Sequence, residues 1–229
     1  MDIKRQVAAL TKELRAVGTR ERAEQEKRYL KSDLSHFGAS VPEVRAVAKT
    51  WLRAHDDLAH DELVGLARAL FDTPWYELRS VAVMLLEARI ALLTKKDVPL
   101  LEALIRRAKT WALVDELAPS VMGPLVEREP SLVRVLRRWA QDPDFWVRRA
   151  ALLSLLLPLR RNEGDFQLFA ELAVPMLGEK EFFVRKAIGW ILRDVSRKRP
   201  ALVKAFVRAH AARMSGLTLR EATKHLERP

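Results

Sequence analysis

Apolar residues recur with helical period along almost the whole chain, and no stretch shows the strict alternation of a half-buried strand. Helix start signals punctuate this pattern. Ser40-Val41-Pro42-Glu43 offers a capping Ser, a Pro for the first turn and a Glu three residues after the Ser. Thr94 with Asp97, and Thr218 with Glu221, repeat the same spacing, and Asp72-Thr73-Pro74 and Asp142-Pro143 predict two further helix starts. The pattern predicts roughly twelve helices, most of about ten to fifteen residues, joined by short loops. No linker or low-complexity stretch divides the chain, so a single domain over residues 1–229 is expected.

A Val/Leu-Arg pair followed by small and apolar residues recurs at Val44-Arg45, Leu78-Arg79, Val147-Arg148 and Val184-Arg185. The clearest copies are "DFWVRRAALLSLL" and "EFFVRKAIGWILR", and a further copy falls at Val114 in "WALVDELA". Steps of about 33 to 37 residues lie in the range of helical repeat proteins, so the expected fold class is all-α, a HEAT-like helical repeat solenoid with a concave basic face. Such stacking places equivalent positions in one column: Arg45, Arg79, Asp115, Arg148 and Arg185. Asp115 is the single carboxylate among guanidinium groups. Two readings of it stay open: an ion pair relieving repulsion between its neighbours, or a reactive carboxylate in a basic groove.

The neighbours of Asp115 bear on that choice. Trp111 precedes it by four residues, so indole and carboxylate share a helix face. Trp146 is followed by Arg149 at i+3, and Trp190 lies in the next repeat. Each Trp taken singly fits core packing; three in consecutive repeats around one Asp suggest more. Basic residues cluster through the C-terminal half, including Arg134, Arg137, Arg138, Arg148, Arg149, Arg185 and Lys186.

Composition narrows the chemistry. Lys and Arg number 41 against 30 Asp and Glu, a formal charge of +11, so a polyanion is the expected partner. Hydrophobic residues make up 49%, enough for a packed core. The chain has no Cys, which removes disulfides, iron–sulfur clusters and cysteine-bound zinc. Its five His residues show no ligand spacing, so no metal and no cofactor are expected. No apolar run reaches the length of a membrane span and the N-terminus lacks the apolar core of a secretory signal, so no membrane partner and a cytoplasmic, nucleoid-associated location are expected.

Four stretches together, "RYLKSDLSHFGASVPEVRAVAK", "WALVDELAPSVMG", "WVRRAALLSLL" and "EFFVRKAIGWILRDVSRKRPALVKAF…LTLREATKHL", resemble the DNA alkylation repair proteins of the AlkD type over residues 20–227. The resemblance implies a HEAT-like solenoid gripping duplex DNA. It also implies a monomeric, monofunctional glycosylase that hydrolyses the N-glycosidic bond of cationic N3- and N7-alkylated purines without flipping the base. It gives Asp115 the catalytic carboxylate's role, Trp111 and Trp190 the active-site indoles, Tyr29 the active-site Tyr and Arg149 a DNA contact. Trp146, Arg148, Arg185 and Lys186 join the expected DNA-binding set from their positions in the repeats. Two positions depart from the pattern: Ala112 stands where relatives often carry an acid, and Leu157 where some carry a DNA-contacting Lys. A non-catalytic DNA-structure binder and a protein-interaction scaffold are the competing uses of this scaffold.

Overall fold

The computed structural model describes residues 1–226, and every structural statement below concerns these residues. The fold is all-helical, as the periodicity predicts. Its α-helices are α1 (Ile3–Val17), α2 (Arg20–Leu30), α3 (Val41–Arg53), α4 (His60–Asp72), α5 (Tyr76–Ala88), α6 (Val98–Arg107), α7 (Trp111–Glu116), α8 (Gly123–Arg128), α9 (Val133–Trp139), α10 (Phe145–Leu153), α11 (Leu156–Arg161), α12 (Phe166–Ala173), α13 (Phe182–Ser196), α14 (Pro200–His210) and α15 (Gly216–Ala222). The chain forms two compact units, Met1–Leu117 and Ala118–Pro229.

In the first unit, α5 packs against α3 and α4, and α1 packs against α3, α4 and α5. Leu78, Val81, Ala82, Val83, Leu85 and Leu86 of α5 are all fully buried. Each such Leu or Val contributes about 1.5–3 kcal/mol through the apolar surface it removes from water. In the second unit, α13 is the hub, packed on α10, α11, α14 and α15. Its buried residues Val184, Ala187, Ile188, Ile191, Leu192 and Val195 follow the three- and four-residue steps of a helix stripe. Gly189 lies at the crossing of α13 with α15, where an added Cβ would come within 2.6 Å of the Glu221 Cβ.

Several helix starts fall where the sequence placed them. Ser40 caps α3 by accepting from the Glu43 N–H, while the Glu43 carboxylate accepts from the Ser40 N–H at 2.6 Å. Thr94 and Asp97 form the same reciprocal box, but on a 3₁₀ turn. Others shift. Asp72 is the last residue of α4 and Trp75 is the N-cap of α5. Asp144, rather than Asp142, caps α10 by accepting from the Trp146 N–H at 2.8 Å. Thr73, directly before Pro74, is extended and ends α4, and in both cases the helix begins after the Pro. Thr218 sits inside α15, whose cap is Ser215; Glu221 is drawn away from a capping role by Lys186 and Arg193.

The repeat register is written in hydrogen bonds. Arg79, Arg148 and Arg185 each donate to the carbonyl six residues earlier, those of Thr73, Asp142 and Glu179, at 2.6–3.1 Å. In every case that carbonyl belongs to the loop entering the helix, so the recurrent Arg ties each loop to its own helix.

Candidate active site

Trp111, Asp115 and Tyr29 all belong to the first unit. Lys109 adopts a left-handed conformation (φ 55°), which turns the chain sharply before α7. Thr110 then caps α7, accepting from the Ala112 N–H. This makes Trp111 the first residue of α7 and sets Asp115 one turn later on the same face. Both side chains are half-buried. Directly after α7 the backbone widens into a π-helical turn over Leu117–Met122. Pro119 lies within it; a Pro removes an N–H donor and disfavours the regular ladder.

Tyr29 comes from the last turn of α2. Its ring meets the Trp111 indole edge-to-face, with centroids 5.6 Å apart and planes at 80°. Tyr29 is nevertheless 71% exposed, so a large aromatic surface stands in solvent beside Trp111.

Glu116, which no motif in the sequence marks, follows Asp115 at the end of α7. Burial pushes its carboxyl up, and the Glu87 and Asp115 carboxylates push the same way, while Arg45 opposes them. The column residue Arg45 thus acts on the acid next to Asp115. Adjacency to Asp115 was the only local hint of Glu116; its burial is a tertiary property.

The remaining expected residues lie in the second unit. Trp146 packs on Phe183, centroids 4.8 Å apart, and on Phe145 at 4.5 Å. Arg149 is only 3% exposed; it donates to the Phe183 carbonyl, with its guanidinium 5.9 Å from the Phe183 ring centroid. Arg148 forms an ion pair with the Glu179 carboxylate at 2.9 Å, beside its bond to Asp142. Arg185 bonds the Glu179 backbone carbonyl at 2.6 Å, and Lys186 donates to Glu221 at 2.6 Å. Lys186 holds the Glu221 carboxyl below the usual carboxylate range, with Arg193 adding to the effect. Trp190 is half-buried on α13, next to Gly189. Each of these cations therefore has a partner inside its own unit, a feature that a count of positive charge does not disclose.

A sequence profile of the DNA alkylation repair enzymes matches residues 10–226. The chain belongs to that family. Solved structures agree in fold. A protein described as a predicted DNA alkylation repair enzyme from Enterococcus faecalis superposes with a TM-score of 0.84 at 23% identity, covering 93% of this chain and 98% of that one. AlkD2 from Streptococcus mutans gives 0.68 at 17% identity over 99% and 100% of the two chains. The protein smu.31 from Streptococcus mutans UA159 gives 0.62 at 18% identity over 80% and 98%. No curated protein sequence matches the chain. As a DNA alkylation repair family member, the protein has a role in alkylation repair with DNA as its substrate. No helix among the described residues is long and apolar enough to cross a membrane.

Proposed function

We propose that this family member is a monofunctional DNA glycosylase that hydrolyses the N-glycosidic bond of N3- and N7-alkylated purines in duplex DNA, acting as a monomer and without flipping the base. One observation carries the reading: Asp115 stands one helical turn from Trp111, whose indole is flanked by the exposed ring of Tyr29.

An alkylated purine of this kind is already cationic, so its glycosidic bond is weak before the enzyme acts. The C1′–N bond breaks with its electron pair going to the base, which leaves neutral and needs no general acid. Positive charge then concentrates on the deoxyribose. A fixed carboxylate near that sugar stabilises the charge as it develops. The indole and phenol faces add attraction for a cation of about 0.5–2 kcal/mol each. Water adds at C1′, its proton passing to Asp115 or to solvent. An abasic site in an intact strand results. Trp190 takes the second indole's role that the family resemblance implies, and Trp146, Arg148, Arg149, Arg185 and Lys186 contact the duplex. Phosphate binding by these cations competes with the internal partners they already hold.

The test is chromatography of bases released from methylated duplex DNA. Release of free 7-methylguanine or 3-methyladenine with no strand break is expected. Tight DNA binding without base release would replace this reading with a non-catalytic binder, and absence of DNA binding with a protein scaffold.

A further inference from the structure

Three side chains with no part in the reaction above meet inside the first unit: Glu26 on α2, His36 in the loop before α3, and Glu77 in the first turn of α5. Each offers one ligand atom, and these atoms all lie within 4.8 Å of one another. The His36 side chain is 1% exposed and Glu77 is fully buried.

Each group is held from behind. The Glu77 Oε1 accepts from the Gly38 N–H at 2.7 Å and the Ala39 N–H at 3.3 Å, while its Oε2 has no hydrogen-bond partner in the protein. The Glu26 Oε1 pairs with the Arg22 Nε at 2.9 Å, while its Oε2 has none and lies 3.8 Å from the His36 Nδ1. Neither ring nitrogen of His36 has a hydrogen-bond partner. The ring stacks on Tyr76, centroids 5.0 Å apart, and the backbone beside it is pinned where Ser35 bridges Pro74 and Tyr76 at 2.8 and 2.9 Å. One oxygen of each carboxylate is thus anchored while the other is left over, and the imidazole is oriented by stacking.

Buried polar atoms without partners are costly, and more so for charged groups. Neutral imidazole and ionised carboxylate are the forms that ligate metals. We propose that Glu26, His36 and Glu77 bind one divalent first-row transition-metal ion of the zinc type, fixing α2 and its following loop to α5. A set of one nitrogen and two carboxylate oxygens suits such an ion, whereas magnesium and calcium favour oxygen-only shells of six or more. Bonds of about 2.0–2.2 Å require the three atoms to close by roughly 1 Å, within reach of side-chain adjustment. Outer partners that orient the ligands, the Arg22 guanidinium and the Gly38 and Ala39 N–H groups, are already in place. The site rests on different residues from the glycosylase reading and stands independently of it.

The experiment uses the full-length, tag-free protein, stripped with EDTA and exchanged into chelator-free buffer. It is titrated calorimetrically with zinc chloride and its thermal midpoint is followed. One ion per chain is expected, with proton release and a raised midpoint. His36→Phe keeps the ring stack on Tyr76, and Glu77→Gln keeps an acceptor for Gly38 and Ala39; each is expected to weaken zinc binding by at least about tenfold. Failure of the wild type to bind overturns the proposal. So does binding left undiminished in both variants, which would assign the ion to surface histidines. Should a variant not fold, anomalous diffraction at the zinc edge from wild-type crystals decides: a peak among these three side chains supports the site, and none there refutes it.

Discussion

Replacing Asp115 by Asn removes one charge with almost no change of size. Asp115 follows Trp111 by one turn of α7, about 6 Å along the helix axis, so a substrate sugar beside the indole lies within a few ångströms of the carboxylate. At about 4 Å and an effective dielectric near 20, one charge pair amounts to roughly 4 kcal/mol. Because Asp115 is only half-buried, solvent screening reduces this toward about 3 kcal/mol. The expected loss in single-turnover release of 7-methylguanine is therefore on the order of 10²–10³-fold. DNA affinity is expected to hold or rise, since an anion leaves a basic protein. The variant also has a signature in the free protein. Asp115 is one of the groups raising the Glu116 carboxyl, so Glu116 should titrate lower in Asp115→Asn, as carbon-detected NMR would register. Thermal melting on the same sample separates chemistry from folding. A well-folded Asp115→Asn protein that releases base at the wild-type rate would refute the catalytic assignment and leave Asp115 as a structural ion-pair member.

Arg149→Ala should lower stability by about 1–3 kcal/mol in denaturant melts, because the Phe183 carbonyl loses its buried donor; an unchanged melt combined with weaker DNA binding would show that the side chain serves the duplex alone. Gly38→Ala should cost about 2 kcal/mol or more, since φ is +83° there and the new Cβ would stand 2.0 Å from the Thr19 carbonyl oxygen; a variant as stable as wild type would contradict that backbone path. The Glu221 carboxyl titrates below its usual 4.5 because of Lys186, so its contribution is fully present above that pH and is lost as pH falls through the folded value. Glu221→Gln should therefore melt lower at neutral pH, with the gap closing in acid; a gap that persists unchanged to about pH 2 would show the pairing to be irrelevant.

What could be read directly from the chain is what depends on neighbours three or four residues away. Helical period, the Ser40–Glu43 box and the shared face of Trp111 and Asp115 all follow from the geometry of one turn, which the local sequence sets. The recurrent Arg was also visible as a period, but its destination was not. Arg79, Arg148 and Arg185 bond the loop carbonyls six residues back, because helix packing brings each loop over its helix and a guanidinium partly withdrawn from water must find acceptors there. Helix starts near Pro74 and Pro143 moved because the chain stays extended before a Pro and the cap falls to a later residue. Tyr29 against Trp111, and the meeting of Glu26, His36 and Glu77, join residues from separate elements of the fold. No spacing rule along the chain encodes such pairs. Packing of α5 against its neighbours removes Glu77 from water and sets it beside Glu26 and His36, a property of the folded structure alone.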